Sequence, residues 1–252
     1  MPYIPLHVHS TNSPGTGMMT ASEIAGRAAF LGLPAVGLTD HWNTYGHFEL
    51  AKAAASSGIK AVLGAELRHL SLTGHDGLYH LTVLAEDNEG YADLTRLVSL
   101  HHEKEGEPHV TVDELSSCGS GLIALSGCIH GETSRGVLQG NLAMQRDAAG
   151  ALREIFGKDR FYLELMTHNE EHEQLVMDKT VLLSEKLNIP LVVTNNDRYL
   201  RKEEAEYYGI LRELSGNRGR AETEEYLQEL YMKERKELEP YFYFLEGALD
   251  AS

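Results

Sequence analysis

Seven short apolar runs, spaced by longer amphipathic stretches, constrain this chain more than any other feature. The runs are Ile4–His7, Ala35–Thr39, Ala61–Leu67, Tyr79–Ala85, Leu122–Leu125, Phe161–Met166 and Leu191–Thr194, each of strand length. Between them apolar residues recur at helical spacing. Thr20-Ala21-Ser22-Glu23 reads as a capping box, and Gly32 stops the helix it opens. Tyr45–Ser57 ends at Gly58, Glu89–Glu103 keeps the helical period, and Asn141–Phe156 ends at Gly157. Glu171–Leu187 precedes Asn188-Ile189-Pro190, whose proline closes the helix. This alternation predicts a parallel sheet with right-handed crossovers. Seven runs without an obvious edge suit a closed barrel better than an open sheet. No G-x-G-x-x-G turn follows the first run, where His9–Gly15 reads as a loop.

The chain has 252 residues, enough for one such barrel. Residues 1–200 are expected to form it. Residues 201–252, rich in Glu, Lys and Tyr and without a clear strand, read as a helical tail packing on it. No apolar run approaches the roughly 18 residues of a membrane helix, and Met1-Pro2-Tyr3 opens no signal peptide. Two cysteines, Cys118 and Cys128, cannot build a disulfide framework, so a reducing cytoplasmic setting is expected. Lys plus Arg number 22 against 38 Asp plus Glu, a net charge of −16. That balance argues against this chain gripping a nucleic-acid backbone alone. Histidine is the unusual entry in the composition, at 13, and histidine is the commonest metal ligand.

In parallel barrels the working residues sit at the C-terminal ends of strands and in the loops that follow. Those positions hold His7 and His9, Asp40 and His41, Glu66, Ser126-Gly127-Cys128, His168, and Asn195-Asn196-Asp197, with His80 opening the fourth run. Histidine, cysteine and carboxylate together suit zinc, manganese or iron. Each residue also has a plainer reading. His7 and His9 share a strand face and could chelate one ion, or be two polar residues at a strand end. Asp40 could cap the next helix with His41 orienting the loop. Glu66 ends an apolar strand and needs a partner or a metal. His80 could be a hydrogen-bonded core histidine and Cys128 a small buried hydrophobe. His130 is a reserve ligand, while His47, His69, His75, His101, His102, His109 and His172 read as solvated surface.

The motifs His7-Val8-His9-Ser10, Leu38-Thr39-Asp40-His41, Leu63-Gly64-Ala65-Glu66, Tyr79-His80-Leu81, Leu125-Ser126-Gly127-Cys128 and Val193-Thr194-Asn195 occur in the order of the PHP (polymerase and histidinol phosphatase) domain. Asn88-Glu89-Gly90-Tyr91, Gly121–Cys128 and Phe161–Leu165 resemble the version that opens the α subunit of bacterial DNA polymerase III. The resemblance implies a distorted (β/α)7 TIM-like barrel with a helical C-terminal extension, holding up to three zinc or manganese ions and hydrolysing phosphoesters. In some replicative polymerases this domain supplies a 3′→5′ exonuclease. Carried over by position, His7 and His9 would hold a first ion, Glu66 would bridge to a second completed by His80 and Cys128, and His41 would belong to a third. His9, Glu66 and Asp40 are the candidate catalytic groups.

Three positions depart from the family pattern. Thr16 replaces an aspartate, Asn196 replaces a carboxylate unless Asp197 swings in from next door, and Arg198 replaces a histidine and offers no lone pair. Fewer than three ions are therefore expected, with the third site empty. Arg198 is expected to pair there with Asp40 or Glu66. The resemblance implies as partners the rest of a polymerase chain or replisome subunits, DNA only through that parent, and no membrane. Three functions follow: a polymerase-associated barrel with residual exonuclease or phosphodiesterase activity, a non-catalytic platform of the polymerase, or a free-standing phosphatase.

Overall fold

The computed structural model describes residues 3–118, 121–216, 223–245 and 247–252. Met1 and Pro2, on which the leader reading rests, and residues 217–222 of the tail lie outside them. Six strands form one sheet in sequential order: β1 (Ala35–Leu38), β2 (Lys60–Leu70), β3 (Leu78–Ala85), β4 (Leu122–Leu125), β5 (Phe161–Leu165) and β6 (Leu191–Val193). Around it lie α1 (Ala21–Phe30), α2 (His47–Ser56), α3 (Asn88–His102), α4 (Val112–Ser117), α5 (Glu132–Leu138), α6 (Leu142–Phe156) and α7 (Glu171–Leu187). The tail carries α8 (Ala205–Leu214), α9 (Glu224–Leu227) and α10 (Arg235–Phe242).

The first apolar run is not a ladder strand. Pro5 has no N–H to give, and the segment instead bonds to both sheet ends. Gly37 N–H donates to Pro5 O at 2.7 Å and Thr39 N–H to Val8 O at 2.8 Å on the β1 side. Beyond β6, His9 N–H donates to Asp197 O and Asp197 N–H to His7 O, both at 2.9 Å. Residues 5–9 thus form a seventh stave and curl the sheet toward closure.

The sheet is mixed, not parallel as the alternation predicts. β3 runs antiparallel to both β2 and β4, and the other pairs are parallel. Only residues 71–77 separate β2 from β3, too few for the crossover of about a dozen residues that a parallel pair needs. Buried Glu132 fastens this hairpin loop, accepting from Ser71 Oγ and Thr73 Oγ1 at 2.6 Å and from Leu72 N at 2.8 Å. Reversal of β3 puts its first residues at the same end as the last residues of the parallel strands. His80 reaches the common rim for this reason.

Strand alternation then divides the barrel interior. Gly64 pairs with Leu84 and Glu66 with Thr82, while Thr82 and Leu84 pair with Leu125 and Ile123. Leu6, Leu84, Leu125 and Val192 fill one end with apolar side chains. The same faces carry Glu66, Thr82 and His80 toward the other end. Outside, the largest core packs β2–β5 against α3, α4, α6 and α7, and α1 and α2 cover β1. Tail residues Leu238, Phe242 and Leu249 pack on Tyr3, Leu165 and Val193. Among the described residues no helix is long and apolar enough to cross a membrane.

Three histidines read as surface are buried: His47, His69 and His101. His47 opens α2 on its inner face and its Nε2 donates to Gly64 O at 2.9 Å. His69 lies within β2, and His101 lies on the inner face of α3. A neutral imidazole can be buried in this way when one ring nitrogen finds a partner.

Candidate metal centre

Glu66 is fully buried and four imidazoles converge on it. Its Oε2 lies 3.2 Å from His7 Nε2, 3.2 Å from His9 Nε2 and 3.1 Å from His41 Nε2. Its Oε1 bonds His80 Nδ1 and lies 3.5 Å from Cys128 Sγ, which is 3.7 Å from His80 Nδ1. Two trios, His7–His9–Glu66 and His41–Glu66–His80, each bring one ligand atom per residue within 4.8 Å of the others. Glu66 is common to both. Cys128 reaches the cluster because Gly127 turns the chain after β4 with φ +84°. A Cβ at Gly127 would meet His80 O at 2.5 Å.

The charges are unevenly shared. Burial works against the charged form of Glu66, but His80, His7 and His41 outweigh it and hold the carboxyl well below its usual range. Burial also disfavours a charged His7, yet the carboxylates of Glu164 and Glu66 raise it to about 10. His9 is pushed well down by burial, then by Arg198 and His41. His41 falls to about 4, chiefly through burial, as does His130 behind His80. Burial and the neighbouring Glu66 push the Cys128 thiol up. His9 and His41 therefore keep neutral nitrogen lone pairs beside an ionised carboxylate.

The other expected residues fall elsewhere. Asp40 does not cap α2, whose N-cap is Gly46. It holds the loop after the first stave, accepting from Ser10 N at 2.7 Å and from Ser10 Oγ and Ser13 Oγ at 2.6 Å. Its carboxylate belongs to neither ligand trio. Asp197 does not swing in. Its Oδ1 accepts from Asn195 Nδ2 at 2.8 Å, and burial raises its carboxyl to about 7. Asn196 sits at φ +53° with a buried Oδ1 that finds no partner. Thr16 Oγ1 lies 3.1 Å from His41 Nδ1. Arg198 makes no ion pair with Asp40 or Glu66; its Nη1 reaches only Thr16 O, at 3.5 Å. His168 stands apart, with Nδ1 bonded to Glu173 at 2.7 Å and Nε2 to Asn195 O at 2.8 Å.

Two participants carry no marker at a strand end. Glu164, inside β5, accepts from His7 Nδ1 at 2.8 Å and from Thr194 Oγ1 at 2.6 Å. A carboxylate behind a ligating histidine fixes its ring and raises its basicity, and the inward parity of Glu164 with Tyr162 was the available clue. Trp42, at φ +59°, stacks on His41 with centroids 5.1 Å apart and stands edge-on to His80, also at 5.1 Å.

The donor set fits a divalent cation. His9 Nε2 is buried and has no hydrogen-bond partner although Glu66 Oε2 is 3.2 Å away. Nitrogen, carboxylate and thiol donors on one centre are the ligand types of a divalent transition metal.

Among solved structures, a protein of Bifidobacterium adolescentis described as a candidate metal-dependent phosphoesterase superposes with a TM-score of 0.53 at 13% identity, covering 77% of this chain and 86% of its own. An amidohydrolase of Chromobacterium violaceum, with bound sulfate and no metal, gives 0.52 at 18% identity, covering 76% and 85%. The chain thus shares its barrel fold with these two structures and carries a candidate ligand cluster at one end. The PHP domain model matches residues 5–168, and the chain belongs to that family. DNA polymerase III subunit alpha of Borreliella burgdorferi is 31% identical over 98% of this chain and 23% of its own length. The same subunit of Escherichia coli K12 is 34% identical over 82% and 18%. An error-prone DNA polymerase of Symbiobacterium thermophilum is 35% identical over 84% and 20%. The chain spans about a fifth of the length of these relatives.

Proposed function

We propose that this chain is the PHP domain of a DNA polymerase III α-subunit-like protein, a metal-binding barrel with reduced phosphodiesterase capacity. Residues 1–200 are the barrel and 201–252 the tail leading toward the polymerase, in the cytoplasm. The observation that carries the reading is His9 Nε2, buried without a partner beside Glu66 in a nest of donors. In this reading His7 and His9 hold one ion, His80 and Cys128 another, and Glu66 both. Ions held there supply Lewis acidity and water activation.

The chain's own residues do the rest. Glu164 orients His7, Asp40 ties down the Ser10–Ser13 loop behind His9, and neutral His9 and His41 can accept a proton or a cation at Nε2. Thr16, Asn196 and Arg198 are the reason capacity is reduced. The same three residues favour, as a second reading, a barrel retained as a platform of the polymerase. A free-standing phosphatase would be expected to keep a full ligand set.

Elemental analysis of protein purified without chelator, with a chromogenic phosphodiester assay in manganese, tests the proposal. One or two ions per chain and a slow rate abolished by His9→Ala are expected. Three fully occupied sites would overturn the reduced set, and no metal with no hydrolysis would leave only the platform.

A further inference from the structure

Among the described residues Arg198 makes no direct ion pair, although Asp40 and Asp197 lie near enough to feel its charge. It is 8% exposed. Among the described residues its side chain makes one hydrogen bond, from Nη1 to Thr16 O at 3.5 Å, a distance too long for a strong one. The two aspartates make no hydrogen bond to it: Asp40 is held by Ser10 and Ser13, and Asp197 accepts from Asn195 at Oδ1 while its Oδ2 is buried without a partner. Nε and Nη2 make no hydrogen bond, yet neither is among the buried atoms sealed without a partner. Both therefore keep access to solvent.

The place of this fork matters. Thr16, whose carbonyl it touches, has its hydroxyl 3.1 Å from Nδ1 of His41, and His41 Nε2 is 3.1 Å from Glu66. Arg198 N–H donates to Leu230 O at 2.7 Å, and Arg198 O accepts from Met18 N at 2.9 Å. The backbone on which the guanidinium sits is thereby fixed on both sides. A largely buried guanidinium on a fixed backbone, without a direct ion pair and open on one side, has the means to complete itself with an anion. Its planar array of N–H groups matches the oxygens of a phosphoryl group.

We propose that Arg198 is an oxyanion-binding residue that receives the phosphoryl group of a phosphodiester at the open end of the barrel, beside the Glu66 cluster. The positive charge that the family pattern would bring with a third cation is supplied here by the side chain that replaces its ligand. The choice of a phosphodiester rests on the function proposed above, whereas binding of an oxyanion does not.

Calorimetry on the 252-residue chain in excess chelator, with inorganic phosphate in one arm and dimethyl phosphate in the other, tests this without any metal. The wild type should bind both. Arg198→Gln should bind at least about tenfold more weakly, the loss of a hydrogen bond to a charged group, and Arg198→Lys should fall between. Equal affinities in wild type and Arg198→Gln, or no phosphate binding by folded wild type, would overturn the proposal. Binding of phosphate but not dimethyl phosphate would overturn the diester assignment in favour of a monoester or free phosphate. Should Arg198→Gln fail to fold by circular dichroism, Arg198→Lys decides: weaker binding supports the fork, and unchanged affinity overturns it. A chain that neither binds metal nor hydrolyses diesters would still give these affinities, so the two readings fail separately.

Discussion

At the residue scale, the proposed function implies that ligands can be restored at Asn196, Arg198 and Thr16. Asn196 lies in the left-handed region at φ +53° with an unpartnered buried Oδ1, a conformation that Asp tolerates as well as Asn. Asp197 stays outside both ligand trios, its Oδ1 accepting from Asn195 Nδ2. Asn196→Asp with Arg198→His should therefore raise manganese occupancy and diesterase rate together, by about tenfold in rate, roughly 1.4 kcal/mol. Thr16→Asp should add to it. No change in either quantity would show that these positions do not limit the site. His7, Glu66, His80 and Cys128 were legible because polar residues interrupt apolar runs at strand ends. Glu164 was not, because an inward carboxylate in mid-strand has no such boundary to mark it. Asp40 misled only as a helix cap, since Gly46 caps α2 and three donors from Ser10 and Ser13 engage its carboxylate instead.

At the scale of elements, periodicity located the six ladder strands and the stave at residues 5–9, but not the direction of β3. The length of the 71–77 connection carried that information, and it reversed β3. Burial of His47, His69 and His101 was hidden because a histidine on a helix or strand carries no label for its face. The tail element α8 reaches the site through the rim loop: Tyr208 Oη donates to Thr16 O at 3.3 Å and Arg212 Nη1 to Gly15 O at 3.1 Å. That loop also carries Ser13, whose Oγ accepts from His41 N at 2.9 Å. Removing both donors with Tyr208→Phe and Arg212→Ala should loosen the loop and weaken zinc binding by about 1 kcal/mol, roughly fivefold. Trp42 is the single tryptophan, and its stacking on His41 makes its fluorescence the readout of a zinc titration. Unchanged zinc affinity in a folded double variant would mean that α8 covers the loop without positioning it.

At the scale of the whole molecule, charge sets what the barrel can do with DNA unaided. A net charge of −16 opposes approach of a polyanion. Affinity for a duplex comes mainly from lysines and arginines that displace condensed counterions, each adding about one unit to the salt slope. Arg198 offers one such contact, and a single oxyanion site holds a phosphate without holding a strand. In the proposed reading, gripping DNA falls to other parts of a longer polymerase; the relatives are about five times as long as this chain. Fluorescence anisotropy with a primer–template at about 0.15 M salt should give a Kd weaker than about 100 µM, the weak end of non-specific binding. The salt slope should be near −1, and Arg198→Gln should abolish it. A Kd below about 1 µM, or a slope of −4 or steeper, would mean that a local basic groove outweighs the molecule's overall charge. In that case the barrel would bind a DNA strand unaided, and the proposed division of labour with a parent polymerase would fail.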